Sequence, residues 1–161
     1  MQNIFTFSKP IHSGKTTSLM NWCKEKKNVK GILMPEVDGL KYFYDIEQNK
    51  IFNAEILNDS KLVDELQIIG KYHFSIAAFE KANHIIKNST LSKNDWLIID
   101  EIGKLELQEK GFHSSLKSIL TSSSKINLLI VVRDTLIKEV TDFYQISHFT
   151  IISTLDELSI H

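Results

Sequence analysis

Residues 13–17 are the first in the chain whose types and spacing could do chemistry, and their sequence is Ser-Gly-Lys-Thr-Thr. They directly follow an apolar segment that predicts a strand, and a helix is predicted to begin at Lys15. In this setting Gly14 lets the backbone approach phosphate oxygens, and N–H groups at the helix start attract an anion. Lys15 is expected to reach the β- and γ-phosphates, and the Thr16 hydroxyl to bind Mg²⁺. We therefore predict a nucleotide-binding loop formed by His12, Ser13, Gly14, Lys15, Thr16 and Thr17.

The match to the full phosphate-loop pattern, GxxxxGK[ST], is incomplete. The pattern has its first glycine at position 9, where this chain has Lys9. A residue other than glycine costs about 1–3 kcal/mol when it is forced into a left-handed conformation, so we expect the loop to follow a somewhat different path. An ordinary helix start with Ser13 as its N-cap is the alternative interpretation of the same residues.

Two adjacent acids, Asp100 and Glu101, end the apolar segment that begins at residue 96. This arrangement resembles a Walker B element, in which Asp100 holds Mg²⁺ through its water shell and Glu101 takes a proton from an attacking water. Side chains alternate along a strand, so two adjacent acids cannot point the same way and one role each is the natural interpretation. The alternative is the polar start of a loop at the carboxyl edge of a sheet.

The elements that must position these residues alternate along the chain. Strands are predicted at 3–8, 31–37, 96–100, 128–132 and 149–152, and helices at 15–26, 76–87, 110–122 and 136–143. Continuous apolar strands between helices indicate a parallel sheet that is buried on both faces. Asp38-Gly39 favours a type I′ turn, so 40–46 should return antiparallel, 51–57 should add a strand, and 66–74 should be extended. Ligands of such sheets bind at the carboxyl edge of the strands.

Composition excludes several classes of protein. A chain of 161 residues predicts a single domain over 1–161. A net charge of −1 argues against a nucleic-acid partner. No apolar run reaches the length of a membrane span, so we expect no membrane partner and a cytoplasmic location. The single cysteine excludes an intramolecular disulfide and a cysteine-rich zinc site.

Three segments resemble one known family, the small P-loop nucleoside-triphosphatases first known from thermophiles. Residues 100–107, Asp-Glu-Ile-Gly-Lys-Leu-Glu-Leu, resemble the Asp-Glu-Ile-Gly-Lys-Met-Glu-Leu signature of that family. Residues 31–37 resemble its Gly-Phe-Tyr-Thr-Pro-Glu-Val segment, and residues 70–72 with Phe79-Glu80 resemble its Gly-Lys-Tyr strand and the helix that follows. The resemblance implies an α/β P-loop NTPase domain with a mainly parallel sheet, an additional strand and a catalytic glutamate.

The resemblance also implies an activity, the Mg²⁺-dependent hydrolysis of ATP, GTP or other nucleoside triphosphates to the diphosphate and phosphate. Lys15 and Glu101 would be catalytic, and Thr16 and Asp100 would hold the metal. Residues 9–17 resemble the loop of the family, Gly-Glu-Pro-Gly-Val-Gly-Lys-Thr-Thr, but Lys9 and His12 replace two of its glycines.

Arg133 is a further candidate catalytic residue. It follows the apolar segment 128–132. In this the chain resembles the family, which has basic residues after the corresponding strand. We expect Arg133 to contact the γ-phosphate or a neighbouring loop. A surface ion pair with Asp134 is the alternative.

Two other functions stay open at this stage. A small P-loop nucleoside or nucleotide kinase commonly grips the transferring phosphate with several arginines, and this chain has one arginine among its 19 basic residues. A degenerate nucleotide-binding module without turnover is suggested by the altered loop, although Lys15, Thr16, Asp100 and Glu101 are all present. The preferred base and any protein partner are not determined by the sequence.

Overall fold

The computed structural model describes residues 2–10, 13–56 and 66–160, and within these ranges the side chains of residues 9, 159 and 160 are not described. The strands are β1 (Asn3–Lys9), β2 (Val29–Leu33), β3 (Glu36–Val37), β4 (Leu40–Asp45), β5 (Lys50–Asn53), β6 (Leu66–Ile69), β7 (Tyr72–Ser75), β8 (Trp96–Ile102), β9 (Asn127–Arg133) and β10 (Thr150–Ile152). The α-helices are α1 (Lys15–Lys24), α2 (Ile76–Asn88), α3 (His113–Leu120) and α4 (Ile137–Phe143), and short 3₁₀ helices span Glu106–Gln108, Asp134–Leu136 and Leu155–Ile160.

The main sheet has the strand order β10-β1-β9-β8-β2-β4-β3, and β5 pairs with β4. Neighbours from β10 to β2 run parallel, whereas β4 runs antiparallel to β2, β3 and β5. The predicted fold class, a mainly parallel sheet flanked by helices with an antiparallel hairpin, is therefore confirmed. Because β9 lies between β1 and β8, the acidic pair at the end of β8 is one strand removed from the loop after β1.

The parallel strands are buried on both faces because helices cover both sides of the sheet. Leu97 and Ile99 of β8 belong to the core cluster that contains Phe79 of α2. Ile98, the residue between them, belongs to the second cluster with Leu19 of α1. Because alternate residues face the two clusters, the central strands are unbroken apolar runs in the sequence. The same alternation fixes which face of the sheet each residue near the carboxyl edge points to.

The antiparallel hairpin forms at the predicted turn. Asp38 and Gly39 have φ angles of 50° and 80°, as a type I′ turn requires, and Val37 pairs with Leu40 across it. The strand predicted at 31–37 is interrupted, because β2 ends at Leu33 and β3 begins only at Glu36. The strand predicted at 51–57 is shorter in the structure, because β5 ends at Asn53 and Glu55 makes only an isolated bridge, to Phe74; residue 57 lies outside the described residues.

The prediction of one extended segment at 66–74 is wrong in its detail. These residues form two strands, β6 and β7, which pair with each other as a two-stranded sheet, and Phe74 of β7 also makes an isolated antiparallel bridge with Glu55. Gly70 has a φ angle of 57° in the turn, and Ile69 pairs with Tyr72 across it. The N–H of Ser75 also donates to the carbonyl of Ala54. The small sheet is therefore anchored beside the end of β5.

The helices agree with the predicted ones, although α1, α3 and α4 are shorter than predicted and α2 is one residue longer. α3 begins at His113 rather than near residue 110, because the backbone before it is occupied by a turn built around Glu106. α2 is the longest described helix, with 13 residues. Within the described ranges no helix is both long enough and apolar enough to cross a membrane.

Candidate active site

The loop between β1 and α1 ends at Gly14, in a backbone conformation that only glycine adopts without strain. Gly14 has φ 76° and ψ 24°, a left-handed conformation, directly before the first residue of α1. Both the N–H and the hydroxyl of Ser18 donate to the Gly14 carbonyl, each over 3.0 Å. The helix start is therefore held against the loop, and Ser13, Gly14 and Thr17 remain exposed. The helix does begin at Lys15, but Gly14 takes the N-cap position that one interpretation gave to Ser13.

Lys15 is buried, with 8% of its surface exposed. Its ammonium donates to the Pro10 carbonyl at 3.1 Å, so the side chain folds back over the backbone of its own loop. The Lys9 backbone belongs to β1, in register with Arg133. A strand residue has extended backbone, so the cost of a left-handed residue at position 9 does not arise. His12 lies outside the described residues.

Thr16 and Asp100 are brought together across the sheet edge. The Thr16 hydroxyl donates to Oδ2 of Asp100 over 2.8 Å, and the Met34 N–H donates to the same oxygen over 3.2 Å. Asp100 is 1% exposed, and burial together with the negative charge of Glu101 raises its pKa to about 6. The two hydrogen bonds and the Lys41 charge oppose that rise in pKa.

The hydroxyl and carboxylate of this pair fit a magnesium site. Mg²⁺ usually keeps several waters and is held by one or two carboxylates together with substrate phosphates. Thr16 and Asp100 offer that limited set of oxygen ligands at the mouth of the loop. Among the described residues there is no group of three or more His, Cys, Asp or Glu side chains that could hold a metal by themselves.

Glu101 and Arg133 form an ion pair at the ends of neighbouring strands. Nε of Arg133 donates to Oε1 of Glu101 over 2.8 Å, and both side chains are partly exposed. Asp134, the alternative partner, instead accepts the N–H of Thr135. Arg133 thus lies beside the acidic strand β8, and the surface pair with Asp134 is not formed.

A β-bulge lets both acids serve the same edge of the sheet. Ile99 pairs with Ile130 and Ile102 with Val132, so β8 has one residue more than β9 between these pairs. Bulges re-aim side chains and are common beside active sites. Asp100 consequently lies under Thr16, while Glu101 faces the open space above the edge.

That open space is a cavity of about 430 Å³, which we call the edge cleft. It is lined by the loop residues Ser13, Gly14, Lys15, Thr16 and Thr17 and by Met34, Glu36, Lys41, Tyr72, Glu101 and Arg133. Of the predicted site residues that can be located, all except Asp100 line this cleft, and Asp100 contacts Thr16 from beneath. The loop before α1, the candidate base Glu101 and Arg133 therefore line one cavity.

Lys41 is a cation of the edge cleft that sequence reasoning missed. Its ammonium lies 3.4 Å from Oε2 of Glu36 and 5.7 Å from the ring centre of Tyr72. Its backbone N–H donates to Oε2 of Glu55 over 2.6 Å, which fixes the residue at the start of β4. In the sequence, Lys41 was distinguished only by its position two residues after the Asp-Gly turn. A lysine at such a position is ordinarily exposed to solvent.

Glu106 is a buried carboxylate just behind the site. It is 2% exposed, and its two oxygens accept the N–H groups of Gly103 and Phe112, each over 2.8 Å. A Cβ on Gly111 would clash with Oε1 of Glu106, and the φ angle of 58° at this residue also favours glycine. Burial raises the pKa of Glu106 to about 7 despite these hydrogen bonds. Glu106 thus links the backbone at Gly103, directly after the acidic pair, to the backbone at Phe112.

Comparisons with known proteins agree with this architecture. A family model described as NTPase matches residues 5–156. The crystal structure of THEP1 from the hyperthermophile Aquifex aeolicus is similar, with a TM-score of 0.69 and 22% sequence identity over 99% of this chain and 94% of that chain. The likeness shows that the chain has the P-loop NTPase fold. No curated protein sequence matches the chain.

Proposed function

The chain belongs to the NTPase family, and from that premise we propose that it is a Mg²⁺-dependent nucleoside-triphosphate phosphohydrolase. Its substrates would be ATP, GTP or other nucleoside triphosphates, and its products the nucleoside diphosphate and phosphate. The observation that carries the proposal is the edge cleft, in which Lys15, Thr16, Glu101 and Arg133 converge on one cavity above Asp100. A cytoplasmic location suits this activity, because nucleoside triphosphates are abundant there.

Binding begins with the loop. Backbone N–H groups at the start of α1 and the Lys15 ammonium would receive the β- and γ-phosphates. Lys15 already donates to a backbone carbonyl, Pro10, at 3.1 Å, so phosphate oxygens would replace that acceptor with a charged one. Thr16 and Asp100 would hold Mg²⁺, which supplies charge neutralisation at the phosphate oxygens.

Glu101 is the proposed general base. In the reaction a water oxygen forms a bond to the γ-phosphorus, the bond to the bridging oxygen breaks, and the water proton passes to the Glu101 carboxylate. Arg133 donates to Oε1 of Glu101, so the water proton would pass to the other carboxylate oxygen, Oε2. A bound γ-phosphate would offer Arg133 a second anion beside Glu101.

Three cations would stabilise the charge that develops during transfer. Lys15, Lys41 and Arg133 line the edge cleft from the loop, from β4 and from β9. Phosphoryl transfer is catalysed mostly by positioning and electrostatics, and cations that bind the transition state more tightly than the ground state are what raise the rate. A module without turnover is less well supported, because it would have little physical need for Lys15, Thr16, Asp100 and Glu101 together.

The test is the release of phosphate from ATP, GTP, CTP and UTP, with and without Mg²⁺, in the absence of any acceptor. We expect release from several triphosphates only when Mg²⁺ is present. Tight binding of a non-hydrolysable triphosphate together with no release from any substrate would instead favour the module without turnover.

A further inference from the structure

A second cavity, which we call the side pocket, adjoins the edge cleft. Its volume is about 70 Å³. It shares five lining residues with the edge cleft, namely Met34, Lys41, Tyr72, Glu101 and Arg133. The proposed hydrolysis uses Glu101 and Arg133 but makes no use of the space behind them.

The far walls of the side pocket are apolar. Ile69 of β6, Phe74 of β7, Phe79 of α2 and Leu136 of the 3₁₀ helix before α4 contribute to them. The β6–β7 sheet therefore closes the pocket on one side, which gives this hairpin a role beside the site. An apolar wall offers water no hydrogen bonds, and an ordered water needs two to four polar partners.

The charged residues of the side pocket lie where it meets the edge cleft, are already engaged or, in the case of Lys104, are exposed to solvent. Glu101 and Arg133 pair with each other at that junction. Glu106 also lines the pocket, but both of its oxygens accept backbone N–H groups. The pocket thus has a charged mouth toward the phosphates and an apolar interior, which suits a molecule with one hydroxyl and an apolar body.

We propose that the side pocket binds a small alcohol with an apolar body, and that its hydroxyl accepts the γ-phosphoryl group in place of water. This inference rests on the proposed function. The alcohol oxygen forms a bond to the γ-phosphorus while the bond from that phosphorus to the β–γ bridging oxygen breaks. The hydroxyl proton passes to Glu101, and the products are a phosphate monoester and the nucleoside diphosphate.

The size of the cavity limits the acceptor to a short chain. A cavity of about 150 Å³ holds the six carbons of benzene, and the side pocket has roughly half that volume, so about three carbons of an acceptor would fit inside it while the carbon that bears the hydroxyl stays at the junction with the edge cleft. A four-carbon primary alcohol is therefore a suitable probe. Methanol has the same reacting group without the apolar body, and glycerol has hydroxyls along its whole length, so both serve as comparison alcohols.

The first experiment measures products by phosphorus NMR with ATP, Mg²⁺ and increasing 1-butanol. We expect butyl phosphate that saturates with butanol concentration and exceeds the methyl or glyceryl ester at least tenfold at equal concentration. Phosphate as the sole product, or esters formed equally from all three alcohols, would overturn the inference and leave the hydrolase proposal intact. Neither phosphate nor ester would instead count against the proposed function as well.

The second experiment fills the pocket. Ile69→Trp should lower butyl phosphate at least tenfold while phosphate release stays within about threefold, because Ile69 lines the side pocket but not the edge cleft. Ile68→Trp is the matched control, since Ile68 is the preceding residue of β6 and is 52% exposed. Unchanged butyl phosphate in a folded Ile69→Trp protein would overturn the assignment. If melting curves show that this variant does not fold, the comparison of alcohols on the wild-type protein decides.

Discussion

Nε of Arg133 donates to Oε1 of Glu101 over 2.8 Å, which binds the one arginine of the chain to the carboxylate that we propose as the base. The two side chains come from the ends of adjacent parallel strands, β9 and β8. In this arrangement the ion pair holds both side chains beside the edge cleft. A γ-phosphate bound in the cleft would lie close to Arg133, whose charge would stabilise the phosphate oxygens as the bond to the leaving group breaks.

Arg133 should therefore matter more for rate than for binding. Arg133→Ala is expected to lower turnover at least tenfold, about 1.4 kcal/mol, with little change in the affinity of a non-hydrolysable triphosphate. Arg133→Lys should recover part of the rate, because charge returns without the fork geometry of guanidinium. Turnover and analogue affinity are measured on the same preparations, with Asp134→Ala as the neighbouring control. Normal turnover in Arg133→Ala would remove Arg133 from the catalytic machinery.

Lys41 should contribute to catalysis from the opposite wall. Lys41→Met is expected to lower turnover at least tenfold, since a cation of the edge cleft is lost, and Lys41→Arg should retain part of the rate. Lys30→Met is a matched control, because Lys30 is 20% exposed against 22% for Lys41 and also pairs with a glutamate, Glu47. Equal turnover in Lys41→Met and Lys30→Met would show that Lys41 only supports the hairpin.

Nucleotide binding should stabilise the fold through Lys15. With Mg²⁺ and a non-hydrolysable triphosphate at a hundred times the dissociation constant, the gain is about 2.7 kcal/mol. For a chain of this size that gain corresponds to a melting shift of roughly 5–11 °C. Lys15→Ala should abolish the shift, whereas Lys24→Ala, at the exposed end of the same helix, should keep it. A full shift in Lys15→Ala would place the phosphates elsewhere.

Glu106 should make stability depend on pH. Because the pKa of Glu106 is raised from 4.5 to about 7 in the folded protein, the folded state binds the proton more tightly than the unfolded state. The resulting stabilisation is complete below pH 4.5 and is lost as pH rises through 7. The shift corresponds to about 3 kcal/mol at most.

Unfolding free energies at pH 5 and pH 8 test this prediction. Glu106→Gln should be less stable at both values, because one amide oxygen cannot accept both N–H groups, but it should lose most of the difference between them. Glu80→Gln, an exposed change on α2, should keep the wild-type difference. An identical pH difference in Glu106→Gln and the wild type would assign the dependence to other groups.

Much of the fold follows from local patterns in the sequence. Apolar runs such as the one over β8 predict buried parallel strands because both faces are covered, and Asp38-Gly39 predicts its turn because both residues tolerate positive φ. The division of residues 66–74 into a hairpin was not predicted. The apolar pattern continues across Gly70, and only its φ angle of 57° reveals the turn.

The candidate site could be predicted where its residues lie in a motif, as Lys15, Thr16, Asp100 and Glu101 do. Lys41 could not be predicted, because it reaches the cleft only through the return of β4 across the sheet. The choice of Glu101 over Asp134 as the partner of Arg133 depends on the strand order, in which β9 lies directly beside β8. Glu106 lies in the segment 100–107 that resembles the family signature, but the sequence assigned it no role, because the two backbone groups that donate to it are brought there only by the fold.

The most direct test of the account is phosphate release by the wild type and by Glu101→Gln, measured with Mg²⁺ and ATP in parallel with the binding of a non-hydrolysable analogue. Glutamine is nearly isosteric but a poor base, and general-base assistance typically contributes 10²–10⁴-fold. We predict that Glu101→Gln binds the analogue as the wild type does and releases phosphate at least a hundredfold more slowly. Release at the wild-type rate would contradict the account, because Glu101 would then be an edge residue that only pairs with Arg133.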